Sequence, residues 1–85
     1  MPMARMREGD TVRVVQLRDP AAQHLIVPNS PRAPRLGDLG MVIEVRGTGA
    51  ETVYVVESDD GDGEIVWLAE FVDEEVVLES RFDRR

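Results

Sequence analysis

The chain has 85 residues, of which 32% are charged, a net charge of −7 and no cysteine. That length allows one domain, burying only roughly 60% of the surface its unfolded form exposes, and without cysteine neither disulfides nor thiolate metal sites can supplement the core. No run of about 18 apolar residues is present to span a bilayer, and an acidic balance opposes polyphosphate, whose binding relies on Lys and Arg releasing counterions.

Residues 1–8 read as a flexible leader without the apolar core region of a secretory signal, so a soluble cytoplasmic protein is the default expectation. Gly9-Asp10 opens a first strand over Thr11–Leu17, with Val12 and Val14 on one face and Thr11 and Arg13 on the other. Arg18–Arg35 carries four of the five prolines, which excludes a long helix or a central strand there. Leu36-Gly37-Asp38-Leu39-Gly40 is a glycine turn feeding a second strand, Met41–Arg46, whose alternation places Met41, Ile43 and Val45 inward and Glu44 and Arg46 outward. Gly47-Thr48-Gly49-Ala50 turns the chain into a third strand, Thr52–Glu57, where Val53-Tyr54-Val55-Val56 leaves the inward face open. Asp59-Asp60-Gly61-Asp62-Gly63 is a hairpin loop. A fourth strand follows over Glu64–Leu68, with Ile65 and Trp67 on one face, and Leu68-Ala69-Glu70-Phe71 suits a single 3-10 turn. Val76-Val77-Leu78 is the fifth strand, and residues 80–85 form a charged tail.

Five short strands, a long loop after the first and one turn before the last describe an all-β, five-stranded SH3-like barrel over residues 9–79. The segments Gly9-Asp10-Thr11-Val12-Arg13-Val14, Gly37-Asp38-Leu39-Gly40-Met41-Val42, Tyr54-Val55-Val56-Glu57 and Trp67-Leu68-Ala69-Glu70-Phe71 with Val76-Val77-Leu78 carry a resemblance. They resemble the SH3-like barrels of a small accessory chain of photosystem I, the variable chain of ferredoxin–thioredoxin reductase and the C-terminal domain of the nitrile hydratase β chain, together with small bacterial families of unknown function. The resemblance implies an accessory or docking role beside a catalytic or redox partner. The peptide-binding tyrosine motif of signalling SH3 domains is not visible, so a proline-rich ligand is not implied.

Charge is segregated along the chain. Residues 1–46 hold seven arginines against five acids, and residues 47–85 hold three arginines against twelve acids. From Glu57 to Glu75 there are nine acids and no base. Every basic side chain is arginine, a planar fork suited to bidentate pairing.

Catalytic and metal chemistry finds little footing in these residues. Alternating Asp60, Asp62 and Glu64 invite a calcium reading, but the positions where a calcium loop needs its glycine and its closing glutamate are filled by other residues, so a solvated hairpin tip is the reading taken. His24 is the only histidine, and Ser30 and Ser58 lack a base and an orienting partner. Gly37-Asp38-Leu39-Gly40 lacks the lysine and helix of a phosphate loop. The expectation is a non-enzyme with no cofactor and no metal.

Two features are suited to binding. Trp67 reads first as a core cap and second as an interface anchor, since Trp and Arg dominate hot spots. The Arg18–Arg35 loop is long for a compact domain, and its prolines lower the ordering cost of binding. Arg18, His24, Arg32, Arg35 and Trp67 are therefore the candidate partner-binding residues, with Arg18, Arg32 and Arg35 expected to give a cationic patch opposite the acidic hairpin side. The expected partner is a protein, met through the 18–35 loop or the acidic 57–75 face. A nucleic-acid-associated barrel and a small acidic immunity or antitoxin-type protein are the alternatives, and self-association through a strand edge remains a further route.

Overall fold

A computed structural model describes residues 5–18 and 32–81. Five strands, β1 (Thr11–Val14), β2 (Leu39–Arg46), β3 (Val53–Asp59), β4 (Ile65–Val72) and β5 (Val76–Ser80), form one antiparallel sheet in the order β4-β3-β2-β1-β5. Two 3-10 turns complete the described elements, at Gly49–Glu51 and Asp73–Glu75. No described helix is long and apolar enough to cross a membrane. The sheet bends around a single core of Met6, Val12, Val14, Val42, Tyr54, Val56, Trp67, Ala69, Phe71 and Val76, to which every strand contributes. The fold is thus the all-β, barrel-like architecture that the spacing of apolar runs predicts.

The larger departures from the sequence reading lie at four places; β2, β3 and β5 also begin or end up to two residues from the expected bounds, and Ser80, expected in the tail, pairs with Thr11 in β5. β1 leaves the ladder at Val14 instead of running to Leu17, because Val15 and Gln16 both donate their amides to the Glu75 carbonyl, at 2.8 and 3.2 Å. On β2 the inward residues are Gly40 and Val42, while Met41 and Ile43 are exposed. The cause is Gly40, where an added Cβ would lie 2.6 Å from Val56 Cγ1 and 3.1 Å from the Trp67 ring. The strand can approach the indole there because glycine has no side chain. A register shift between Val42 and Glu44 then returns Val45 to the core side, partly buried. With apolar residues on both faces, alternation alone selects the wrong set.

β4 is longer than expected. It pairs with the whole of β3, so Leu68–Phe71 is strand, and the 3-10 turn before β5 falls at Asp73–Glu75. Ile65 and Trp67 do not share an environment. Ile65 pairs with exposed Asp59 and Trp67 with buried Ser58, and neighbouring residues of a strand face opposite sides. The register shift between Ser58 and Asp59 therefore turns Ile65 outward and Trp67 inward.

The fourth departure is at the amino-terminal end. Residues 5–8 belong to the packed body and are not a leader separate from it. Met6 is 1% exposed, among the largest buried side chains. It is held in place from both sides: the buried Asp10 carboxylate accepts the Arg7 amide at 2.9 Å, and Gly9 donates to the Val42 carbonyl at 2.7 Å. Arg5 donates its amide to the Tyr54 hydroxyl and its guanidinium to Asp73.

The third strand, left open by the sequence, turns Tyr54, Val56 and Ser58 inward. Val55 is buried too, from the opposite side, for a separate reason. It pairs with Glu44 on β2 and Glu70 on β4, and Arg46 bonds both carboxylates, so this ion network spans the strand over Val55.

Candidate interaction surface

The two flanks of the Arg18–Arg35 region are tied to the barrel by carboxylates from other parts of the chain. On the first flank, the Arg18 amide donates to Glu75 Oε2 at 3.1 Å, and its guanidinium lies 3.8 Å from Glu74. Glu75 is itself buried, and its other oxygen accepts the Val72 amide at 2.9 Å. One carboxylate thus caps the 3-10 turn and fixes the exit of β1.

On the second flank Asp38 does the equivalent work with more partners. Its Oδ2 accepts from Arg32 Nη1 at 2.7 Å, the Arg35 amide at 3.0 Å and the Trp67 indole at 2.9 Å, and its Oδ1 accepts from Arg32 Nη2 at 3.2 Å. Burial by itself raises the Asp38 pKa, but the Arg32 guanidinium, the Arg35 amide and the Trp67 indole outweigh it and hold the carboxyl below its ordinary range. The Arg32 fork is bidentate, the geometry that distinguishes arginine from lysine.

These contacts place the sequence-derived candidates. Arg32 and Trp67 are brought together through Asp38. Trp67 is fully buried, packed edge-on against Phe71 at 5.6 Å between ring centroids, so it supports the core and is not an exposed anchor. Arg18 and Arg32 spend their charge on Glu74 and Asp38 within the molecule, and Arg35 is exposed. His24 lies outside the described residues. The three arginines accordingly do not form a free cationic patch.

Asp38 and Glu75 were missed by sequence reasoning. A signal for Asp38 existed: a buried indole N–H needs an acceptor, and the glycine turn preceding β2 offers a carboxylate. Glu75 sits within an acidic run that reads as hydrated surface, and only the tertiary contact distinguishes it from Glu74.

The acidic face divides into two unequal parts. Glu70, Asp73 and Glu74 are each ion-paired, with Arg46, Arg5 and Arg18 respectively, and Glu75 holds backbone amides. Glu57, Asp59, Asp60, Asp62 and Glu64 form no ion pair with any described residue. The uncompensated charge therefore gathers on the β3–β4 hairpin. Its tip is held by its own side chains, with Asp59 accepting the Gly61 amide at 2.9 Å and Asp60 accepting the Asp62 amide at 2.8 Å. Gly61 and Gly63 adopt positive φ of 91° and 92°, which the turn requires. Among the described residues no three His, Cys, Asp or Glu side chains converge as a metal centre.

Beside this hairpin lies an apolar surface that the core does not absorb. Leu39, Met41 and Ile65 are 44%, 43% and 37% exposed. Met41 is cross-strand from Glu57, Ile65 from Asp59, and the Leu39 carbonyl accepts the Ser58 hydroxyl at 2.8 Å. Three aliphatic side chains thus stand around the base of a hairpin carrying five acids that have no ion pair among the described residues. Single exposed apolar residues are ordinary; here Met41 and Ile65 flank β3, whose outward Glu57 and Asp59 stand between them, so apolar and acidic groups interleave on one face.

Comparison with known protein families, curated proteins and solved structures returns no match.

Proposed function

We propose that this chain is a non-enzymatic interaction module of SH3-like barrel architecture, serving as an accessory or regulatory subunit that docks on another protein. The strand order β4-β3-β2-β1-β5, with the long connection after β1 and the 3-10 turn before β5, supports the architectural part of this reading. The observation that carries the functional part is the exposed group Leu39, Met41 and Ile65 beside acids that have no ion pair among the described residues. The buried carboxylates support it as well. Asp10 and Glu75 accept backbone amides, Asp38 accepts an amide and an indole, and no buried side-chain nitrogen or oxygen among the described residues lacks a hydrogen-bond partner. These groups are committed to holding the fold.

A second reading, a small acidic protein that masks a basic partner, draws on the uncompensated hairpin charge. Affinity purification of the full chain from native extract at low salt, followed by sedimentation of the recovered species, tests the module reading. A stoichiometric heteromeric complex is expected. Recovery of a monodisperse monomer alone, or of a homodimer alone, overturns it.

A further inference from the structure

Resting on the module reading, we infer that the partner binds through a segment in which arginine or lysine alternates with aliphatic residues, and that it docks on the outer face formed by β2 and the β3–β4 hairpin. The cross-strand register sets the pattern. Along one row across the outer face, Leu68 on β4 faces Glu57 on β3, which faces Met41 on β2. In the neighbouring row Ile65 on β4 faces Asp59 on β3, while Leu39 on β2 faces Arg13 on β1. Aliphatic and acidic side chains therefore alternate at the spacing of adjacent strands, about 4.8 Å. A complementary segment presents aliphatic and cationic groups in turn on one face; because successive residues of an extended segment face opposite sides, the two types alternate there at every second residue.

Charge decides between this occupant and its rivals. A second copy brings the same acidic surface and is repelled by it. Nucleic acid and anionic lipid are repelled for the same reason. The outer-face cations beside this region are already engaged: Arg13 with Glu79 at 3.0 Å and the Gly37 carbonyl at 3.3 Å, and Arg46 with Glu44 and Glu70. A cationic segment meets five carboxylates that no described residue ion-pairs, and its aliphatic residues cover Leu39, Met41 and Ile65. The hairpin is fixed by its own hydrogen bonds before binding, so little ordering cost falls on this side of the interface.

Amide chemical shifts of the isotope-labelled full chain, titrated with three synthetic peptides of equal length, test the inference. One peptide alternates arginine with leucine at every second residue, with threonine between, one replaces each arginine by glutamate, and one keeps the arginines but replaces each leucine by serine. The first is expected to shift residues 39, 41, 57, 59 and 65, with affinity falling at least about tenfold between low and high salt. Met41→Glu is expected to weaken it about tenfold or more while leaving the amide spectrum folded, because that side chain projects outward. The paired variant Asp62→Asn with Glu64→Gln removes charge without adding bulk and is expected to weaken binding and flatten the salt dependence. Equal binding of the arginine–serine peptide reduces the contact to bare charge attraction and overturns the inference. So do shifts centred on residues 18, 32 and 35, or no shift with the arginine–leucine peptide. The module reading fails separately, when native extract yields no heteromeric complex. A recovered complex whose contacts lie away from residues 39, 41 and 65 leaves that reading standing and removes this one.

Discussion

Replacing Asp38 with alanine is the sharpest perturbation of the fold that positions this surface. Three groups lose their acceptor: the Arg32 guanidinium, the Arg35 amide and the Trp67 indole. Arg35 is exposed, so water substitutes at its amide at little cost. The Arg32–Asp38 pair has side chains 32% and 17% exposed, and a partly solvated ion pair of this kind contributes about 0.5–1 kcal/mol. The indole is different, because Trp67 is fully buried and its orphaned N–H costs about 1–3 kcal/mol. The expected loss is therefore about 2–3 kcal/mol, dominated by the indole. A domain of 85 residues has a total stability of roughly 4–13 kcal/mol, so the variant gives up a substantial part of it. Urea unfolding followed by the fluorescence of the single tryptophan measures this directly. The midpoint is expected to fall with an unchanged slope, and the melting temperature by about 10–20 °C. Repeating Asp38→Ala in a Trp67→Phe background, followed there and in the parent by circular dichroism because the fluorophore is gone, removes the orphaned donor, and the cost is expected to drop to about 1 kcal/mol. Equal costs in the two backgrounds, or a loss under about 0.5 kcal/mol in the parent, refute the reasoning.

Other outcomes follow from the same contacts. The Asp38 carboxyl lies below its ordinary range when folded, so its charge-dependent contribution is present above the unfolded value near pH 3.9 and fades as pH falls through the lower folded value; the stability gap between parent and Asp38→Ala should narrow below about pH 4, leaving the part owed to the indole acceptor. Tyr54, the only tyrosine, is raised above its usual range, first by burial and then by its bond to Asp73, so phenolate absorbance in a spectrophotometric titration should appear at higher pH than for free tyrosine. The sign is opposite to that of Asp38: the Tyr54 contribution is complete below the unfolded value and is lost as pH rises through the folded one. Gly40→Ala places a methyl group 3.0 Å from the Glu57 carbonyl oxygen as well as against Val56 and Trp67, and should cost about 1–3 kcal/mol in denaturant unfolding. Met6→Ala should cost about 2–5 kcal/mol, where a residue in a detached leader would cost nothing measurable.

The element pattern was legible because each strand is bounded by residues that punctuate strands. Gly9-Asp10, Gly47-Thr48-Gly49 and the Asp59–Gly63 loop stand where the chain turns. Strand faces were legible only where one side is polar. Val12 and Val14 against Thr11 and Arg13 resolve β1, whereas Met41, Val42 and Ile43 offer apolar residues to both sides of β2. What decides the latter is a long-range fact, the fit of Gly40 under Trp67, and a register shift that period-two reasoning cannot anticipate. The interaction surface was legible in part. The acidic run was visible as a run, but Glu70, Asp73 and Glu74 draw their cations from Arg46, Arg5 and Arg18, remote in sequence. The three loop arginines looked like one patch because sequence does not reveal the carboxylates that meet Arg18 and Arg32. Met41 was hidden for the same reason as the β2 face, since an outward aliphatic residue in a strand reads as core until its neighbours are known, and Leu39 because it reads as part of the glycine turn and not of the strand.

The account turns on which side of the molecule meets its partner. Incorporating a photoreactive phenylalanine derivative at position 41 in one sample and at position 35 in another, then irradiating each in native extract and mapping the joined peptides, compares the two faces directly. Joining from position 41 to an arginine- or lysine-rich aliphatic segment of another protein, with none from position 35, is the predicted result. Joining from position 35 alone contradicts it.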